Sequence, residues 1–166
     1  MHRRDGQNNI LVMSDWKLPW SATCRCGKVR MRVTAPPLMT MACHCRGCQR
    51  MSASAFSLSV LLPSAGFEVV EGELEIGGLH GASRHHHCAY CKSWLFTRPE
   101  GLDELVNLRA TMLDEHAWLV PWIETCADEG FAWASTGAKH RFPSSPPNDA
   151  FGPLMAEFAA QAPRPG

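Results

Sequence analysis

The sequence predicts one mainly β domain that ends in a short helix. Three observations support this prediction: several segments alternate polar and apolar residues with a period of two, glycine and proline separate these segments, and apolar residues recur at helical spacing only near the C-terminus. At 166 residues, of which 45% are hydrophobic, the chain is long enough to bury a core without disulfide bonds.

The first predicted strand follows a turn that contains Cys24 and Cys26. Residues 28–34 read KVRMRVT and alternate as a half-buried strand does, until Ala35-Pro36-Pro37 ends the strand. A cysteine-rich loop comes next, and residues 56–62, FSLSVLL, alternate again.

Two hairpins are predicted in the middle of the chain. Residues 67–70 and 74–76 flank Glu71-Gly72-Glu73, which is typical of a turn that contains glycine. Residues 83–87 and 94–97 flank a second cysteine pair, and this pair is expected at the tip of its hairpin. The domain should therefore consist mostly of antiparallel sheet.

Two further strands and the helix complete the prediction. Residues 104–110 and 119–125 are strand candidates, and the proline in the second favours an edge position. Apolar residues at helical spacing follow Asn148 and Asp149, which are good N-cap types. The helical residues are Phe151, Leu154, Met155 and Phe158.

These elements predict three regions along the chain. We expect residues 1–19 to be loosely ordered and residues 20–143 to form the folded domain. Residues 144–166, which begin with Ser144-Ser145-Pro146-Pro147, should be a linker followed by the helix.

Composition excludes several classes of protein. Sixteen basic and sixteen acidic residues give no net charge, so nucleic acid is not an expected partner. No segment approaches the length of a membrane span, and the first twenty residues lack the apolar core of a signal peptide. We therefore expect a cytoplasmic protein with no membrane partner.

Seven of the eight cysteines fall into three tight groups. The groups are Cys24-Arg25-Cys26, Cys43-His44-Cys45-Arg46-Gly47-Cys48 and Cys88-Ala89-Tyr90-Cys91. Cysteines one or two residues apart form strained disulfides, but from a tight loop their thiolates reach one metal ion readily. In a reducing compartment these spacings favour zinc, which accepts four thiolates and has no redox chemistry.

The number of thiols predicts two different sites. The first and third groups together form a quartet (Cys24, Cys26, Cys88 and Cys91) that would close a structural zinc site. The middle group is a triplet (Cys43, Cys45 and Cys48) that would leave one position of a second zinc open. The alternative is that His44, one of His85 to His87, or Cys126 supplies a fourth ligand to the triplet.

An open zinc with three thiolate ligands suits thiol chemistry better than water activation. Its ligands already give the centre a negative charge, which weakens it as an acid toward water, whereas a soft metal holds an incoming thiol as the nucleophilic thiolate. The signatures of zinc deaminases and of H-E-x-x-H proteases are absent from the sequence. The expected reaction is the attack of a thiol on a small electrophile.

The order of the motifs resembles the glutathione-dependent formaldehyde-activating enzyme family, also called the CENP-V/GFA domain. The similar elements, in order, are Cys24 to Val29, Cys43 to Cys48, Ala53 to Ser57, Glu71-Gly72-Glu73 and Arg84 to Cys91. The resemblance spans roughly residues 20–125. One departure is Lys92, at a position where family members commonly have glycine.

The resemblance implies a β-tent fold of antiparallel sheets with zinc knuckles and two zinc ions. The structural zinc would be held by Cys24, Cys26, Cys88 and Cys91, and the catalytic zinc by Cys43, Cys45 and Cys48. It also implies condensation of glutathione with formaldehyde to S-hydroxymethylglutathione, which is a carbon-sulfur lyase reaction when written in reverse. Two alternatives are a non-catalytic zinc module that binds a partner protein, and a zinc-supported redox enzyme in which Cys126 lies exposed in a cleft.

Other residues near the cysteines have predicted roles. Arg46 and Arg50 flank the triplet and are candidates to bind the carboxylates of glutathione. His44 is expected to point away from the metal that its neighbours bind, and Trp94 is a candidate to line the cleft.

Overall fold

The computed structural model describes residues 15–166, and their strands form two sheets. The smaller sheet is antiparallel and contains β1 (Trp20–Thr23), β2 (Arg30–Val33) and β5 (Phe67–Glu71), in that order. The larger sheet contains the other eight strands: β3 (Met39–Cys43), β4 (Ser57–Pro63), β6 (Leu74–Gly77), β7 (Arg84–Cys88), β8 (Trp94–Arg98), β9 (Leu105–Arg109), β10 (Ile123–Thr125) and β11 (His140–Arg141).

The larger sheet has the order β11-β10-β3-β4-β9-β8-β7-β6. Strand β10 runs parallel to both of its neighbours, and the remaining pairs are antiparallel. The predicted class, a mainly β fold with a short C-terminal helix, is confirmed.

The two faces of the larger sheet differ in chemistry. Val60, Leu108 and Phe96 lie opposite one another on β4, β9 and β8, and all three are buried. Phe96 contacts Phe67 of the smaller sheet, with ring centroids 4.9 Å apart, so this face forms the apolar core between the sheets. Because side chains alternate along a strand, the neighbouring residues point to the other face.

That other face carries polar side chains. Cys43 pairs with Ser57, and Ser59 pairs with Arg109, so these four residues share a face across β3, β4 and β9. Ser57, Ser59 and Arg109 are buried. The period-two pattern that builds the core therefore also brings buried polar groups next to the first cysteine of the triplet.

The structure contains two α-helices among its described residues. Helix α1 (Arg46–Ser52) was not predicted, and helix α2 (Phe151–Gln161) was. Helix α1 begins where the sulfur of Cys45 accepts a hydrogen bond from the Cys48 N–H, at 3.3 Å. Cysteine is not a usual N-cap residue, and seven residues are too few to give a helical pattern.

Helix α2 closes one end of the core. Leu154 and Phe158 are buried, and Phe158 stacks on Trp16, with centroids 5.8 Å apart. Asn148 and Asp149 are not its N-cap as predicted, since they lie in a 3-10 turn at Asn148–Ala150 that leads into the helix. Most of the region expected to be loosely ordered, residues 1–14, lies outside the described residues.

Two predicted strand arrangements are wrong. Strands β5 and β6 do not form a hairpin, because β5 belongs to the smaller sheet and β6 to the larger one. The chain changes sheets at Gly72, whose φ of +96° is open to glycine but strained for other residues. Strand β10 is not at an edge, since it lies between β3 and β11, and Pro121 precedes the strand instead of interrupting it.

No helix among residues 15–166 combines the length and the apolar character that crossing a membrane requires.

We expect Gly72→Ala to destabilise the domain more than a matched glycine substitution. A Cβ at Gly72 would collide with the carbonyl oxygen of Lys28 and lie 2.8 Å from Cα of Val29. Gly101 also has a positive φ but has open space around it. Urea unfolding should therefore give a loss of about 1 kcal/mol for Gly101→Ala and about 3 kcal/mol for Gly72→Ala. Equal losses would contradict a steric requirement at this crossing.

Candidate metal centres

The quartet forms where the two sheets meet. Cys24 and Cys26 lie in the turn between β1 and β2, Cys88 is the last residue of β7, and Cys91 lies in the turn between β7 and β8. All four sulfurs lie within 4.8 Å of one another, as the partition of the cysteines predicts. A metal bound there would join a turn of the smaller sheet to a turn of the larger one.

One sulfur-sulfur distance in the quartet equals that around a tetrahedral zinc ion, and another is about 0.5 Å shorter. The Cys26 and Cys88 sulfurs are 3.8 Å apart and the Cys24 and Cys26 sulfurs 3.3 Å apart. Zinc-sulfur bonds of about 2.3 Å in a tetrahedron place sulfurs about 3.8 Å apart. Backbone N–H groups of Val29 and Cys91 also point at the sulfurs of Cys24 and Cys88, as expected for thiolate ligands.

Lys92 turns the chain after the second cysteine pair. Its φ is +61°, which is the left-handed conformation that a glycine would adopt without strain. Its ammonium group donates to Glu75 Oε2 at 2.6 Å and to the carbonyl oxygen of Ala89 at 2.7 Å. These contacts hold lysine in a conformation that its side chain otherwise disfavours, and the loop keeps its shape.

The triplet lies at the junction of β3 and α1. Cys43 ends the strand, Cys45 caps the helix, and Cys48 lies in its first turn. The three sulfurs lie within 4.8 Å of one another. Hydrogen bonding from the Cys48 thiol, chiefly, lowers the pKa of Cys43 to about 5, and the same contact together with burial raises the pKa of Cys48. The triplet thus favours at least one thiolate even before any metal binds.

Within residues 15–166, the group of potential ligands at the triplet contains three cysteines and no fourth ligand. His44 is buried and lies beside Glu124, with His44 Nε2 3.8 Å from Glu124 Oε2. His85 Nδ1 lies 2.9 Å from the Thr97 hydroxyl. Neither histidine joins the triplet sulfurs, so both leave the fourth position open.

Cys126 lies close to the triplet without joining it. Burial, followed by the charges of Cys43 and Cys45, raises its pKa to about 12. Its backbone has a φ of +54°, and the residue is half-buried. A neutral thiol therefore lies beside Cys43.

Two charged residues near the triplet were not identified from the sequence. Arg109 is buried, with its guanidinium carbon 4.0 Å from the ring centroid of Trp94. Glu124 is buried and accepts hydrogen bonds from the Thr136 N–H and hydroxyl. The sequence feature that could have indicated Arg109 is its place at the end of the mostly apolar strand LVNLR. The alternation within a strand does not tell, however, which residues of other strands lie next to that arginine.

A groove runs beside the helix that carries Cys48. It has a volume of about 760 Å³, and Arg46 and Arg50 both line it. Phe131 and Trp133 form one wall as a stacked pair with centroids 5.6 Å apart, and Trp133 is 78% exposed. The groove therefore combines positive charge with an aromatic surface on one side of α1.

We expect the purified protein to bind about two zinc ions per chain, as measured by native mass spectrometry. Cys88→Ser should remove one ion and unfold the domain, because the quartet joins segments far apart in the sequence. Cys45→Ser should also remove one ion but leave the fold largely intact, because serine is a good N-cap and the triplet closes only a short loop. Equal loss of thermal stability in the two variants would contradict this division.

The comparisons with known proteins agree with the motif order. No curated protein matches the chain. A crystal structure of a Rhodobacter sphaeroides protein, a structural genomics target, is similar at 20% identity and a TM-score of 0.48, over 57% of this chain and 87% of that chain. At this level of similarity it adds nothing to the assignment.

A family model described as glutathione-dependent formaldehyde-activating enzyme matches residues 19–128. This range is well over half of the chain and includes all seven cysteines of the quartet and the triplet. The chain therefore belongs to the glutathione-dependent formaldehyde-activating enzyme family.

Proposed function

We propose that the protein is a zinc-dependent enzyme that joins the thiol of glutathione to formaldehyde and forms an S-hydroxymethyl adduct. The observation that carries the proposal is the triplet: three convergent sulfurs with no fourth ligand among residues 15–166. Membership of the family agrees with this activity. In the reverse direction the reaction is that of a carbon-sulfur lyase.

Zinc is the metal that the donor set fits best. Both groups consist of free thiols, and tetrahedral thiolate sites favour zinc among common divalent ions. We assign a structural zinc to the quartet and a catalytic zinc to the triplet. A zinc ion bound by three thiolates would hold the substrate thiol as its thiolate, which is the reactive form.

The reaction forms one carbon-sulfur bond. The substrate thiol releases its proton to solvent, the thiolate sulfur attacks the carbonyl carbon of formaldehyde, the carbon-oxygen π bond breaks, and the oxygen takes one proton back from solvent. The triplet would fix the position of the sulfur, and holding the aldehyde beside this sulfur would supply most of the acceleration expected of such a step.

The groove beside α1 is the proposed binding site for the rest of glutathione. Glutathione carries carboxylates, and the guanidinium groups of Arg46 and Arg50 are suited to bind them. Arg46 is held in place by its own contacts, since its Nη1 donates to Gln49 Oε1 at 2.7 Å. The groove lies beside the helix that carries Cys48, and the proposal requires the peptide to pass from the groove around this helix to the triplet.

The free thiols also suggest a location for the protein. All eight cysteines are free thiols in the structure, and free thiols persist in a reducing compartment, whereas disulfides form outside it. We infer that the protein acts in the cytoplasm.

A redox enzyme is the second candidate, and Cys126 is the observation that favours it. The thiol of Cys126 lies beside Cys43, as a resolving cysteine would. Its raised pKa, about 12, disfavours the thiolate that a resolving step requires. The condensation therefore remains the better supported function.

We expect the wild-type protein to accelerate the exchange between glutathione, formaldehyde and S-hydroxymethylglutathione, as measured by exchange NMR. Cys48→Ser should reduce this acceleration by about a hundredfold or more, because the triplet loses a ligand. Cys126→Ser should retain activity within about threefold, since serine keeps the size and the neutral character of the thiol. Loss of activity in Cys126→Ser together with thiol-dependent peroxide reduction by the wild type would favour the redox enzyme instead.

A second prediction concerns the groove. The double variant Arg46→Met/Arg50→Met should raise KM for glutathione about tenfold and leave kcat nearly unchanged, because it removes charges that contact the substrate away from the reacting atoms. With 2-mercaptoethanol, which has no carboxylate, the variant and the wild type should react alike. An equal loss with both thiols would place the glutathione carboxylates elsewhere.

A further inference from the structure

Arg109 is a buried cation that lacks an anionic partner among the carboxylates of the described residues. Its side chain is 7% exposed, its Nε has no hydrogen-bond partner, and its Nη2 donates only a long bond of 3.3 Å to the carbonyl oxygen of Asn107. Burial lowers its pKa to about 10, so it still carries its charge at neutral pH. A buried, charged guanidinium costs several kcal/mol unless an opposite charge lies close to it.

No carboxylate of residues 15–166 forms an ion pair with Arg109. The acidic side chains on its face of the sheet are the thiols of the triplet, since Cys43 ends β3 opposite Ser57 of β4. The strand register agrees, since Arg109 shares a face of the larger sheet with Ser59, Ser57 and Cys43. The counter-charge of Arg109 is therefore the triplet itself.

Trp94 fixes the guanidinium in place. The indole ring lies under the guanidinium at 4.0 Å, and its Nε1 donates to the Thr97 hydroxyl at 3.2 Å. The same hydroxyl lies 2.9 Å from His85 Nδ1. Because both the ring and its hydrogen-bond partner belong to β8, the guanidinium rests on a rigid surface that faces the triplet.

The charge at the triplet explains why a cation is needed. Three thiolates around a divalent ion carry a net charge of about −1, and a fourth thiolate brings it to about −2. Among the described residues Arg109 is the one buried lysine or arginine. The other buried charged group nearby, Glu124, has its own cation, since Glu124 Oε2 lies 3.6 Å from Nε of Arg141.

We propose that Arg109 is a positioning residue that makes the open position of the triplet selective for an anionic ligand, the substrate thiolate. This rests on the proposed function, which places a thiolate at that position. Arg109 acts by attracting the negative charge of the triplet and of its fourth ligand. Its Nε–H has no hydrogen-bond partner in the protein and is therefore free to donate to that ligand.

The test compares an anionic with a neutral ligand on the cobalt-substituted protein. Absorption of the cobalt ion at the triplet reports binding of 2-mercaptoethanol, which binds as thiolate, and of imidazole, which binds uncharged. The absorption of cobalt in the quartet stays constant as a background. Because neither ligand has a carboxylate, the groove of Arg46 and Arg50 does not contribute.

Arg109→Gln should weaken thiol binding by about tenfold or more and change imidazole binding by less than about twofold. Arg109→Lys should keep the wild-type preference for the thiol. The matched control is Arg98→Gln, which removes the same charge from the neighbouring strand, where Arg98 contacts the Ser64 hydroxyl at 3.1 Å. This control should bind both ligands as the wild type does.

A purely structural role for Arg109 predicts another result. Equal weakening of both ligands in Arg109→Gln, or no weakening of either, overturns the proposal. If Arg109→Gln does not fold, Arg109→Lys decides: a kept preference supports the proposal, and a lost preference in folded protein overturns it.

The outcome also separates this proposal from the proposed function. Thiol binding that depends on Arg109, without turnover of formaldehyde, would support the role of Arg109 and contradict the condensation. Absence of thiol binding to wild-type protein would overturn both.

Discussion

The rest of the structure depends on the closure of a long loop by the quartet. The sulfurs of Cys26 and Cys88 lie 3.8 Å apart although the residues are 62 positions apart in the sequence. A crosslink over a loop of this length is worth about 4 kcal/mol on the scale of a disulfide. Strands β2 to β6 and helix α1 all lie within this loop, so a metal ion bound by the quartet would fix together the two ends of the segment that contains the triplet.

The two faces of the larger sheet differ: one packs in the apolar core, and the other carries polar residues on the same side as Cys43. On β4 and β9 the apolar residues pack against the smaller sheet, while the residues between them carry Ser59 and Arg109 to the opposite face. A shift of the register by one residue would exchange these faces and place the arginine in the apolar core. The packing of the core thus selects the register that brings the charged group to the triplet.

The sequence predicts local features well and distant partners poorly. The partition of seven cysteines into quartet and triplet could be predicted because metal ligands follow local spacing rules, and strands such as β2 and β4 because their alternation is local too. The pairing of β5 with β2, and not with β6, could not be predicted from the sequence. Two strands that are adjacent in the sequence can belong to different sheets, and their local pattern does not show which sheet each one joins. Arg109 and Glu124 were missed for the same reason, because each meets the triplet region from a strand far along the chain.

Electrostatics distinguishes the two cysteine groups further. Burial raises the pKa of Glu124, but hydrogen bonds from Thr136 more than offset this and leave the carboxylate with a lowered pKa, so it is negative close to His44 and the triplet. This carboxylate has a cation of its own, because Nε of Arg141 lies 3.6 Å from Glu124 Oε2. Arg109, the one buried lysine or arginine among the described residues, instead shares a face of the larger sheet with Cys43. The quartet combines four cysteines, whereas the triplet combines three, and within residues 15–166 only the triplet has a buried guanidinium on its face of the sheet.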